Sequence, residues 1–129
     1  MGFTSTLAAG AWESGGNIST ARGQLSGAGI QTAALAMGGI TTAALTLSEE
    51  YDGSSWTEGE DLNNGRYGMA GFGTQTAALA ISGYDPPPRP TEVESYDGTN
   101  WTETTDINTG RSDLTGCGTT TAGLIFSGN

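Results

Sequence analysis

Between Arg66 and Trp101 the apolar positions fall into short runs separated by turn chemistry. Residues 67–72 are small and apolar, 76–82 are apolar, 92–96 alternate, and 101–104 are polar around one large aromatic. Each run has the length of a strand and none reaches that of a helix. The separators are Gly73-Thr74-Gln75, the proline-rich residues 85–90, Asp97-Gly98-Thr99-Asn100 and Asp106-Ile107-Asn108-Thr109-Gly110. All are turn compositions, and Asp-Gly is a strong hairpin signal. Three consecutive prolines, Pro86 to Pro88, exclude a regular strand and predict an exposed, variable connection. Four antiparallel strands in sequence are the expectation.

The pattern recurs. Trp12, Trp56 and Trp101 are spaced by 44 and 45 residues, and each is followed ten positions later by an arginine, Arg22, Arg66 and Arg111. A glycine-rich run comes next, then an apolar run ending at Gly39, Gly83 or Gly128. A period of this size marks units that cannot bury an apolar face alone and must stack on a neighbour. Four strands per period is the requirement of a β-propeller blade. In such a blade the first strand crowds the central axis, which suits Gly68, Gly71 and Gly73, with Gly23, Gly27, Gly29, Gly116 and Gly118 as their counterparts. The tryptophans open the outermost strand and are expected to fill the widening wedge between blades.

Laid out this way, the chain resembles a kelch-type β-propeller over residues 12–128. The resemblance rests on Gly38-Gly39 ending the second strand, Tyr51-Asp52 and Tyr96-Asp97 ending the third, Trp56 and Trp101 opening the fourth, and the arginines after them. The wording Glu-Glu-Tyr-Asp-Gly-Ser-Ser-Trp, then Gly-Thr-Gln-Thr-Ala-Ala-Leu-Ala, is similar to degenerate kelch-like repeats of phage and environmental viral structural proteins. The chain departs from the kelch pattern at Ser82-Gly83 and Ser127-Gly128, which replace a glycine pair, and in lacking Tyr-Asp before Trp12. The resemblance implies an all-β propeller and a non-enzymatic structural or binding role in a virion, in the particle or its tail. A carbohydrate-binding, lectin-like propeller is the alternative, and a cytoplasmic location the alternative to the virion.

The phase of the repeat divides the single domain, residues 1–129, into 1–21 (strands of a shared blade), 22–65 (a blade), 66–110 (a blade) and 111–129 (strands of a shared blade). The first segment would give a fourth strand at Trp12 and a third strand over residues 3–7. Three blades cannot close a ring, since propellers use about four to eight. The expectation is a homo-oligomer, a dimer favoured, whose two chains share blades in a six-bladed ring. A fragment of a longer propeller is the competing reading.

Four arginines against fourteen acids, with neither lysine nor histidine, give a net charge of −10. This argues against nucleic acid or anionic lipid as a charge-driven partner. No run reaches transmembrane length, and the amino terminus carries no signal-peptide pattern, so no membrane insertion is expected. Asn100-Trp101-Thr102 matches a glycosylation triplet without that secretory context. Without histidine there is no Ser-His-Asp triad and no imidazole metal site; the reading is no enzyme, no catalytic residue, no metal and no cofactor. The carboxylate pairs Glu49-Glu50, Glu60-Asp61 and Glu92/Glu94 are read as solvated faces rather than glycosidase pairs. Asp97-Gly98-Thr99-Asn100 is oxygen-rich but lacks a calcium-loop pattern. Cys117, the single cysteine, is expected to be a buried small hydrophobe. The three arginines either ring an anion site or tie loops to carbonyls and nearby acids, the latter favoured by their recurrence. Tyr84, Asp85 and Arg89, in the longest connection, are the candidate contact residues for other structural proteins or surface glycans.

Overall fold

The computed structural model describes residues 14–85 and 87–129. The expected strands at residues 3–7 and at Trp12 lie outside them. The described chain is all-β, without a helix, so no helix in it is long and apolar enough to cross a membrane. Strands β1 (Ser26–Ile30), β2 (Ala33–Met37), β3 (Ser48–Tyr51) and β4 (Trp56–Glu58) form one antiparallel sheet in that order. Strands β5 (Ala70–Thr74), β6 (Ala77–Ile81), β7 (Val93–Tyr96) and β8 (Trp101–Glu103) repeat it, and β9 (Thr115–Thr119) pairs with β10 (Ala122–Phe126). The sheets fall within the segments that the sequence period marks out.

Boundaries move by a few residues. The expected first strand begins late, at Ala70, because Tyr67 enters a separate bridge with Tyr84 and Gly68 takes φ +61° between them. Gly73-Thr74-Gln75 is not a separator: Gly73 and Thr74 pair with Ala78 and Ala77 inside the hairpin, and the turn is Gln75-Thr76. The Asp-Gly hairpins form as expected. Asp52 Oδ1 accepts the Ser54 and Ser55 N–H groups at 2.8 Å, and Asp97 Oδ1 accepts those of Thr99 and Asn100 at 2.8 and 2.7 Å. Each turn brings the flanking Tyr and Trp together, with ring centroids 5.0 Å apart for Tyr51–Trp56 and 4.9 Å for Tyr96–Trp101.

Period-two alternation gives every sheet two unlike faces. In β2 the large side chains Leu35 and Met37 share one face and the small Ala34 and Ala36 the other; β6 repeats this with Leu79 and Ile81 against Ala78 and Ala80. The large face of each sheet packs on the small face of the next. Leu35 and Met37 join Met69, Ala78, Ala80, Tyr96 and Trp101 in one core cluster. Phe72, Leu79 and Ile81 join Leu114, Ile107 and Ile125 in a second. The inner strands β1, β5 and β9 lie side by side, and glycine permits that approach. A Cβ on Gly116 would stand 2.6 Å from Phe72 Cε1, and one on Gly123 would meet the same ring. Trp101 is buried in the first cluster, as expected of a wedge-filling residue, whereas Trp56 is half-buried because no described sheet precedes it.

Ser82 and Ser127, which stand where the first copy has Gly38, take the same left-handed conformation as that glycine, at φ +54°, +63° and +61°. Ser82 offsets the strain with its hydroxyl, which accepts the Arg111 N–H at 2.7 Å and lies 2.8 Å from the Pro90 carbonyl.

The small-face alanines leave no room for branching, since Ala78 and Ala80 are fully buried. Ala78→Leu is predicted to destabilise the fold by about 1–3 kcal/mol through overpacking, read as a lower urea midpoint.

Candidate functional site

Three polar features stand out from this scaffold. The first is a repeated clamp. Each arginine precedes the first strand of a sheet, and in the two four-stranded sheets its guanidinium reaches under the sheet to a glutamate on the third strand. Arg22 Nη1 donates to Glu49 Oε1 at 2.8 Å, and Arg66 Nη2 to Glu94 Oε1 at 2.9 Å. Both glutamates are fully buried. The other carboxylate oxygen takes a backbone N–H from the incoming loop, Ser19 to Glu49 and Asn63 to Glu94, each at 2.8 Å. Thus residues 19–22 repeat the path of residues 63–66.

These pairs correct the expectation of solvated carboxylates at Glu49 and Glu94. A lone burial signal was invisible there because charged residues are seldom buried without a partner. The readable clue was the glutamate that stands two positions before Tyr-Asp in both copies, in step with the arginine. Glu60 and Asp61 are exposed, as expected, and Glu50 accepts the Tyr96 hydroxyl at 2.6 Å across the sheet interface. Burial, then that bond, pushes the Tyr96 phenol well above its usual range. Arg66 is only partly satisfied, its Nε having no partner among the described residues. The clamp accordingly contributes alignment of loop and sheet more than net stability. Arg111 is different. Its Nη1 reaches the Ser127 carbonyl at 3.3 Å, and no acid partners it among the described residues, whose third sheet has two strands.

The second feature is the proline-rich connection. Asp85 and Arg89 line a 520 Å³ cleft with Pro88, Pro90, Glu92 and Asp106. Both are exposed, and Arg89 Nε donates to Ser112 Oγ at 3.1 Å, which ties the loop to the next sheet. Tyr84 does not line the cleft. It is half-buried, exchanges backbone hydrogen bonds with Tyr67 at 2.7 and 3.1 Å, and its ring lies tilted at 46° to the Tyr67 ring with centroids 5.1 Å apart. Burial, the Tyr84 phenol and the carboxylates of Asp113 and Asp85 push the Tyr67 phenol up. Two of the three candidate contacts are therefore brought together, and the third is set apart as half of an aromatic pair.

The third feature is Cys117, which is exposed rather than buried. The correction has a geometric cause: its counterparts Ala28 and Phe72 are covered by a neighbouring sheet, whereas β9 ends the described series. No cluster of three metal-ligating His, Cys, Asp or Glu side chains occurs among the described residues, and the Asp97 carboxylate is engaged by its own turn.

No family model and no curated protein matches the chain. The arrangement must be read from its own geometry.

The clamp makes stability sensitive to acid. Burial raises the Glu49 carboxyl, but the Ser19 N–H, the Arg22 guanidinium and the Ser19 hydroxyl outweigh it and hold the group below the ordinary glutamate range. Asp52 is held down to about 2 by the Ser55 and Ser54 N–H groups and the Ser54 hydroxyl. Carboxyls depressed in the folded state add stability above their unfolded pKa, near 4, and lose it as pH falls through the folded value. The melting temperature is predicted to hold above about pH 5 and to fall steeply below about pH 4, with Glu49→Gln flattening part of that fall in a pH series of thermal melts.

Proposed function

We propose that the chain is a non-enzymatic β-propeller module with a structural or binding role, each four-stranded sheet being a blade and the inner strands β1, β5 and β9 lining the axis. The observation that carries the reading is the stacking itself: two copies of the same four-stranded antiparallel sheet, joined large face to small face through their innermost strands. In this architecture the scaffold residues are spent on packing and recognition falls to the connections. The exposed cleft at Asp85 and Arg89, held to the next blade through Ser112, is the contact surface we assign. The resemblance to phage kelch-like repeats supplies the setting, a virion or tail-associated protein. A second copy completes the ring.

One observation favours a second reading, a carbohydrate-binding propeller. The Tyr67–Tyr84 pair beside Asp85 offers an aromatic platform next to a carboxylate, a combination that suits sugar rings.

A glycan array distinguishes the two. The structural reading predicts no saturable glycan binding by the wild-type chain and stoichiometric copy number in purified particles. Binding to a defined glycan that is lost in Tyr84→Ala would replace it with the lectin reading.

A further inference from the structure

The two blade-to-blade contacts inside the chain are copies of each other down to backbone hydrogen bonds. From the first blade to the second, the Gly39 N–H donates to the Arg66 carbonyl at 2.9 Å, and the Gly68 N–H donates back to the Gln24 carbonyl at 2.9 Å. From the second to the third, the Gly83 N–H donates to the Arg111 carbonyl at 2.8 Å, and the Asp113 N–H donates back to the Gly68 carbonyl at 2.9 Å. Gln24, Gly68 and Asp113 all take the left-handed conformation this exchange needs, at φ +50°, +61° and +55°.

The series leaves one set of groups over at each end. On the leading flank, the Arg22 carbonyl and the Gln24 N–H have no backbone partner among the described residues. On the trailing flank, the Gly128 N–H and the Asp113 carbonyl have none. The leftovers are the two halves of the same contact, donor against acceptor at both positions.

Apolar surface divides in the same way. On the trailing flank Leu124 is 62% exposed and Phe126 46%, whereas of their counterparts Leu35, Met37 and Ile81 are at most 5% exposed and Leu79 is half-buried. On the leading flank Leu25 is 37% exposed, whereas its counterparts Met69 and Leu114 are 5% and 6%. The trailing flank is thus a large face without a small face. The leading flank is a small face without a large one: Leu25, Gly27, Ala34, Ala36 and Trp56 line an open depression of 480 Å³.

We infer that the trailing flank of one chain seats on the leading flank of a second copy, reproducing the internal blade contact. Gly128 N–H then donates to the Arg22 carbonyl of the second copy, and that copy's Gln24 N–H donates to the Asp113 carbonyl. Leu124 and Phe126 fill the depression, and Cys117 is covered. A second copy is the occupant that fits because the chain itself carries both halves, in polarity, size and backbone conformation. The contact is heterologous, so it closes into a ring or propagates according to the rotation between copies. The inference rests on the blade reading above.

Light scattering after size exclusion tests it with two single variants, Leu124→Glu on the trailing flank and Leu25→Arg on the leading flank. Wild type is expected at about twice the 13.1 kDa of one chain, and each variant as a monomer with wild-type far-UV circular dichroism. An equimolar mixture of the two variants is expected to return to the dimer mass. In that mixture one junction pairs Glu with Arg and the other is wild type, a rescue that requires position 124 of one copy to meet position 25 of the other. A wild-type monomer with intact β signal overturns the inference and leaves the blade reading standing. Variants that associate as the wild type does also overturn it. Loss of the β signal in wild type would instead remove the blade reading.

Discussion

The close approach of the inner strands governs everything else in this molecule. Phe72 lies where any side chain on Gly116 or Gly123 would stand, and Met69 lies where one on Gly38 would. Because the backbones come so near, the sheets exchange main-chain hydrogen bonds as well as apolar contacts, and each sheet is held in one register against the next. Burying a polar backbone group without such a partner costs about 1–3 kcal/mol, so the exchanged bonds and the small-face residues depend on each other. Enlarging the glycines or alanines parts the sheets and strands the amides.

The arginine clamp acts at the rim of the same contact. It secures the loop that leads into a sheet to that sheet's third strand, through Ser19, Arg22 and Glu49 in one copy and Asn63, Arg66 and Glu94 in the other. With the interior thus occupied by packing and alignment, the chain's freedom lies in its connections. The connection between β6 and β7 carries the exposed Asp85 and Arg89 and differs in composition from its counterpart between β2 and β3. That asymmetry is where a scaffold of near-identical units acquires a distinct surface.

Strand number, strand order and the two hairpin turns were legible from composition, because Asp-Gly and the apolar runs act locally. The tryptophan period located the sheets. Three things were not legible. Ser82 in a left-handed conformation looks unfavourable until its hydroxyl is seen bridging Pro90 and Arg111. Glu49 and Glu94 look like surface acids until the arginine, 27 or 28 residues away in sequence, is folded beneath them. Cys117 has counterparts in the half-buried Ala28 and the buried Phe72, and its exposure depends on whether another sheet covers β9 rather than on the run itself. In each case the deciding partner is remote in sequence. Loop composition alone placed Asp85 and Arg89 on an exposed connection, whereas the Tyr67–Tyr84 pairing that removes Tyr84 from the cleft required the bridge between two strand ends.

The contact that we infer between chains is the one used twice inside the chain. Residue-resolved amide hydrogen exchange reads it directly. Gly128 and Gln24 are expected to be protected as strongly as Gly39, Gly83, Gly68 and Asp113, whose amides bridge the internal contacts. Exchange of Gly128 and Gln24 at the rate of an unprotected turn, with the other four protected, would contradict it.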